Sequence, residues 1–141
     1  VPRANFITRL RRWLPRQALG ARGERAAARF LKRQGYKIVA RGERGGGGGE
    51  LDLVAVDGRT VVFVEVKTRE SHDAGHPAEA VDRRKQIQIT RLATSFLKFH
   101  GLLDCPSRFD IVAITWPARG QPTIEHFQNA FEAQGPDGMF G

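Results

Sequence analysis

The stretch Glu50-Leu51-Asp52-Leu53-Val54-Ala55-Val56-Asp57-Gly58-Arg59-Thr60-Val61-Val62-Phe63-Val64-Glu65-Val66-Lys67 decides the fold. Two strand-like runs, 50–56 and 60–67, flank Asp57-Gly58, a dipeptide suited to the positive φ angles of a two-residue type I′ hairpin turn. That turn sets Val56 opposite Arg59, Glu50 opposite Glu65 and Asp52 opposite Phe63. Side chains alternate along a strand, so Glu50, Asp52, Glu65 and Lys67 project from one face. Leu51, Leu53, Ala55, Val62, Val64 and Val66 make a wholly apolar opposite face that must be core. Asp52 and Glu65 become diagonal neighbours, about 7–8 Å apart at the backbone.

Working outward, Ala26, Ala27, Ala28 and Leu31 favour a helix over 19–33, with Gly35 as its stop, and a strand begins over 36–39. Residues 1–20 are basic and interrupted by Pro2 and Pro15, which reads as a mobile or partly helical arm. The five glycines Gly45 to Gly49 are not a phosphate-cradling loop, because no Gly-Lys-Ser/Thr follows and the next element is a strand. They read as a flexible connection that specifies nothing. Downstream, a long helix is expected after Pro77, with Val81, Ile89, Leu92 and Phe96 as its apolar stripe and an end near Gly101. Strands follow over 108–115 and 123–127, and a disordered tail over 132–141. The order helix, strand, strand, strand, helix, strand, strand predicts an α/β domain over 21–131, a mixed central β-sheet flanked by helices.

The 141 residues suffice for one core, and a net charge of +8 with pI near 10.7 points to a polyanionic partner, nucleic acid before lipid. No apolar run approaches the roughly 20 residues of a membrane helix, nor the core of a secretory signal. Cys105 is the only cysteine, which excludes an intramolecular disulfide and a cysteine-rich zinc site. A cytoplasmic protein is expected.

Like charges facing each other across a sheet destabilise it, and carboxylates set among Val and Phe lose hydration. A divalent cation compensates both. Mg²⁺ or Mn²⁺ suits such a site, with Asp52 and Glu65 as metal ligands and the Val66 carbonyl as a third candidate. Lys67 then orients a water or stabilises developing negative charge. The bland alternative is a charged face of an exposed hairpin, with a Glu65–Lys67 ion pair contributing at most ~1 kcal/mol.

Gly49-Glu50-Leu51-Asp52-Leu53, Phe63-Val64-Glu65-Val66-Lys67-Thr68-Arg69, Ala80-Val81-Asp82 with Lys85-Gln86, and Arg108-Phe109-Asp110-Ile111-Val112 together resemble the YraN family of small bacterial proteins. The likeness covers about residues 23–131. That family is similar to restriction-endonuclease-like proteins and archaeal Holliday junction resolvases, whose pattern is a helix Glu, a strand Asp and Glu-x-Lys on the next strand. The resemblance implies that fold, with Glu24 as the helix carboxylate beside Asp52, Glu65 and catalytic Lys67. One departure stands out: where the family has an Asn-aromatic-Arg motif, this chain has Gly42-Glu43-Arg44 and then glycines.

Lys85 falls on the sheet-facing stripe of its helix, and the resemblance assigns it a phosphate contact; Arg69 and Arg84 are read as backbone-binding charges, as are Arg83 and Arg91. His72 and His76 sit in a loop with no helix to align them as a metal pair. His126 reads as structural, and Asp110 as a hydrogen-bonded fold residue. The expected function is a Mg²⁺-dependent nuclease acting on DNA ahead of RNA, on branched or flapped substrates, with a homodimer admitted. The competing expectation is a nucleic-acid-binding protein that keeps the fold without turnover. A third is a protein-interaction partner that uses the arginine-rich arm.

Overall fold

Asp57 stands opposite Thr60, so the turn of the central hairpin is Gly58-Arg59. Only Gly58, the first central residue, has a positive φ (64°), the pattern of a type II′ turn. The expected register is therefore corrected by two residues. A shift of two preserves which side chains share a face but changes who faces whom: Leu53 pairs with Val64, which carries Asp52 to the place opposite Glu65.

The computed structural model describes residues 22–45, 47–70 and 81–135. The elements are α1 (Arg22–Arg33), β1 (Lys37–Arg44), β2 (Glu50–Asp57), β3 (Thr60–Glu70), α2 (Arg83–Phe99), β4 (Ser107–Trp116) and β5 (Thr123–Phe131). They form one mixed sheet in the order β1-β2-β3-β4-β5. Only β3 and β4 run parallel, as a strand pair joined through a helix must be able to do; the other neighbours are antiparallel. The arm over 1–20, the helix start at Leu19, His72, His76 and Pro77 lie outside the described residues.

Both helices end as their glycines dictate. Gly35 N–H bonds to Lys32 O and Tyr36 N–H to Leu31 O, while Gly101 N–H bonds to Lys98 O and Leu102 N–H to Leu97 O. Each is a Schellman closure that satisfies the last carbonyls. At its start α2 is capped by Asp82, whose side chain accepts from Lys85 N–H at 2.9 Å.

The helices cover opposite faces of the sheet, giving three layers and two cores. Ala26, Ala27, Ala28 and Leu31 of α1 pack on Leu53, Ala55, Val62, Val64, Val112 and Ile114. Ile89, Leu92, Ala93, Phe96 and Leu97 of α2 pack on Val54, Val56, Val61, Phe63 and Ile111. The face expected to be charged is thus buried along most of its length. Leu51 is a second correction, because it joins the α2 core while Leu53 joins the α1 core, so the alternation of β2 breaks at Asp52.

Two further stretches are more ordered than expected. β5 extends to Phe131, past an irregularity opposite Phe109/Ile111. Beyond it, residues 132–135 run along α2, with Gln134 N–H on Thr90 Oγ1 at 3.0 Å and Gly135 O accepting from Arg83; residues 136–141 lie outside the described ones. The glycine connection also specifies something. Gly47, Gly48 and Gly49 all have positive φ, Arg91 donates to Gly48 O at 2.9 Å, and a Cβ on Gly49 would meet the Gln88 side chain at 2.6 Å. Gly47 to Gly49 lie beside α2 with a backbone that favours glycine. No helix among the described residues is long and apolar enough to cross a membrane. This mixed five-stranded sheet between two helices is compatible with the restriction-endonuclease-like fold.

Candidate metal centre and active site

Beyond Leu53–Val64 the β2–β3 ladder ends, and at that fork the Asp52 carboxylate takes the place of a strand carbonyl, accepting from Val66 N–H at 2.9 Å. Glu65, opposite, is 5 % exposed and hydrogen-bonded to Asp52 through the carboxyl groups. Burial pushes the Asp52 carboxyl up to about 7, and the negative charge of Glu65 adds to that rise; the Val66 N–H and the Lys85 ammonium oppose it. Two carboxyl groups so close are relieved by a cation beside them.

Glu24 reaches the same place from the other layer. A Cβ on Gly23 would lie 2.2 Å from Thr68 Cγ2, so only glycine lets the first turn of α1 press this closely on β3. The carboxylates of Glu24, Glu50 and Asp52 each offer an oxygen within 4.8 Å of the others. Glu50 is also tied to Arg44 of the neighbouring strand, Nε to Oε2 at 3.4 Å. The altered Gly42-Glu43-Arg44 segment thus forms the end of β1 and puts a cation beside the acidic group.

Two lysines converge on Glu65 from different elements. Lys67 Nζ, from the same strand, lies 3.5 Å from Glu65 Oε2, and Lys85 Nζ, from the first turn of α2, lies 3.8 Å from the same oxygen. Both are about one third exposed. The structure therefore brings Glu24, Asp52, Glu65, Lys67 and Lys85 together. It leaves the other two expected contacts at the margin: Arg69 Nε donates to Thr115 Oγ1 at 3.1 Å, and Arg84 is exposed on α2.

The break of alternation at Asp52 puts Glu50 on the side of α1, whereas sequence reasoning set it with Asp52 against Glu65 and gave it no place in the site. Doubled charge there looked like repulsion, whereas Glu50 turns to Glu24 and Asp52. The need for glycine at position 23 left no trace in the sequence, since it arises from a contact 45 residues away.

Asp110 belongs to a separate network. It is fully buried and accepts from Arg108 Nε (3.0 Å) and Asn129 N–H (2.9 Å), with His126 Nε2 at 2.7 Å. Arg108 continues to Tyr36 Oη and to Asp57 beside the hairpin turn. Burial alone would raise the Asp110 carboxyl; the bonds from His126, Arg108 and Asn129 outweigh it and hold the group below its ordinary value. Asp110 and His126 are occupied in joining strands and stand in no contact with the carboxylate cluster.

The family model described as uncharacterised protein family UPF0102 matches residues 23–114, a span that contains every member of the cluster. A UPF0102 protein of Geobacter sulfurreducens is 50 % identical over 114 residues, covering 81 % of this chain and 88 % of the relative. One of Rhodopirellula baltica is 46 % identical over 127 residues, 87 % of this chain and 75 % of the relative. One of Geobacter metallireducens is 47 % identical over 119 residues, covering 84 % and 96 %.

Proposed function

This chain belongs to the uncharacterised protein family UPF0102, and we propose that it is a divalent-metal-dependent nuclease that hydrolyses phosphodiester bonds, in DNA ahead of RNA. The observation that carries the reading is the convergence of Glu24, Glu50, Asp52 and Glu65 with Lys67 and Lys85 at the fork of β2 and β3. The donor set fits the ion: hard carboxylate oxygens are what Mg²⁺ and Mn²⁺ select, and an Asp52 carboxyl pushed up to about 7 belongs to a cluster short of positive charge.

Asp52 and Glu65 would hold the ion, with Glu24 and Glu50 offering further carboxylate oxygens beside Asp52. Such an ion, when bound, supplies Lewis acidity toward the phosphate and the attacking water. The remaining work falls to the lysines. Lys67 is placed to orient the water or to offset charge developing on the phosphate oxygens, and Lys85, across Glu65, to anchor the phosphate. Both ammonium groups are held by Glu65, which fixes their direction before substrate arrives. The strong basic charge of the chain favours a nucleic-acid substrate over a small phosphodiester.

The test is a cleavage panel of junction, flap, single-stranded and duplex DNA, with RNA alongside, in Mg²⁺ and in Mn²⁺. Metal-dependent cutting that Glu65→Ala abolishes is the expected result. Salt-sensitive binding with no cutting in either metal would leave a nucleic-acid-binding protein in its place.

A further inference from the structure

The outer face of α1 carries a feature that the carboxylate cluster does not use. Arg22, Arg25, Arg29 and Arg33 recur at intervals of three, four and four, which aligns them on one side of the helix, and all four are exposed. They line an open groove of about 810 Å³. Trp116, Gln121, Pro122 and Ile124 line it with them, and among the described residues no Asp or Glu does. The Arg22 guanidinium lies 3.8 Å from the centre of the Trp116 ring, which fixes one of the four charges in place.

This arrangement works against the helix that bears it. Arg22 and Arg25 occupy the positive end of the helix dipole, where anions are favoured. Arg25 with Arg29, and Arg29 with Arg33, are like-charged pairs four residues apart. A bound polyanion relieves both repulsions, and guanidinium forks match phosphate oxygens. From Arg22 to Arg33 the helix rises about 16 Å, the axial length over which one strand of a duplex carries roughly five phosphates, at about 3.4 Å of axis each. Residues 1–21, which lead into α1, contain five arginines and no acidic residue. Between Arg22 and Arg25 stands Glu24, which joins Glu50 and Asp52, so the groove and the cluster share one helical turn.

We infer that this groove is the track on which the sugar–phosphate backbone of a nucleic acid lies as it leaves the carboxylate cluster. Only the direction of the strand rests on the nuclease reading; the binding does not. The experiment therefore separates the two. The full chain and Arg25→Gln/Arg29→Gln/Arg33→Gln are titrated in EDTA against fluorescent duplex and single-stranded oligonucleotides at several salt concentrations, with Lys98→Gln as a control remote from the groove.

The triple variant is expected to bind about tenfold or more weakly, and the slope of log K against log salt to shrink by about 2 to 3. Its thermal midpoint should equal or exceed the parent's, since repulsion has been removed, and Lys98→Gln should leave affinity and slope unchanged. Equal affinity and slope in the triple variant overturn the proposal. So does dependence on the same arginines for binding phosphatidylserine vesicles when no oligonucleotide binds. A lost slope with no cleavage in Mg²⁺ leaves the track standing without the nuclease; cleavage with an unaltered slope does the reverse.

Discussion

Replacing Asp52 by Asn removes one negative charge from the fork while keeping an acceptor for Val66 N–H and the side chain's size. In the native protein the carboxyl is pushed up to about 7, from an ordinary 3.8, by burial and by the charge of Glu65. The folded state thus holds the proton more tightly than the unfolded state, and raising pH must weaken the fold. The loss begins near pH 4, where the unfolded chain ionises, and is complete once pH has passed through about 7. Three pK units correspond to about 4 kcal/mol if Asp52 alone carries the rise. Asp52→Asn should therefore be more stable than the parent at pH 8 in EDTA, by up to that amount, and by much less at pH 4. For a domain of this size each kcal/mol moves the thermal midpoint by about 3–4 °C. A divalent ion should act in the same direction on the parent alone. At tenfold excess over its dissociation constant Mg²⁺ adds about 1.4 kcal/mol to the parent at pH 8 and nothing to the variant. Differential scanning fluorimetry from pH 4 to pH 8, with and without Mg²⁺, reads all of this. Parallel pH curves for the two proteins would mean that Asp52 does not carry this pH dependence.

Gly23→Ala places a methyl group 2.2 Å from Thr68 Cγ2 and must lift the first turn of α1, costing about 1–3 kcal/mol and withdrawing Glu24 from the cluster. Thr68→Ser, which deletes the obstructing methyl, should restore most of the urea midpoint in the double variant; failure to do so would mean that another contact demands the glycine. Asp110→Asn leaves Arg108 without its buried counter-charge and takes the carboxylate from beside His126, and should cost about 3–5 kcal/mol in urea unfolding at pH 7. Because the Asp110 carboxyl is held below its ordinary value, the stability it contributes is present above pH 4 and lost as pH falls further, so the penalty should shrink in acid.

Element order, the sheet's mixed character and the grouping of Asp52, Glu65 and Lys67 on one side were legible because they rest on local signals. Alternating apolar residues, a turn glycine and helix stops are properties of neighbours in the chain. The register was not. Asp-Gly can provide both central residues of a turn or, as here, one residue before it and one within it, and sequence alone does not separate them. The break of alternation at Asp52 arises because its carboxylate, rather than the backbone, satisfies Val66 N–H. Such a substitution of side chain for ladder depends on the strands having already parted. Glu50, the arginine face of α1 and the fit of Gly23 against Thr68 all depend on which elements meet in space, which a single chain does not reveal before it folds.

The proposed metal-dependent phosphodiester hydrolysis at the β2–β3 fork needs its lysines as well as its carboxylates. Single-turnover cleavage of the best substrate in Mg²⁺, by the parent and by Lys67→Met, tests it most directly. Lys67→Met keeps the carboxylates and the stem of the side chain but removes the ammonium group 3.5 Å from Glu65. A loss of about 10²–10³-fold in the chemical step is expected, with oligonucleotide affinity little changed. Equal rates for the two proteins would contradict it, as would cutting by the parent that persists undiminished in EDTA.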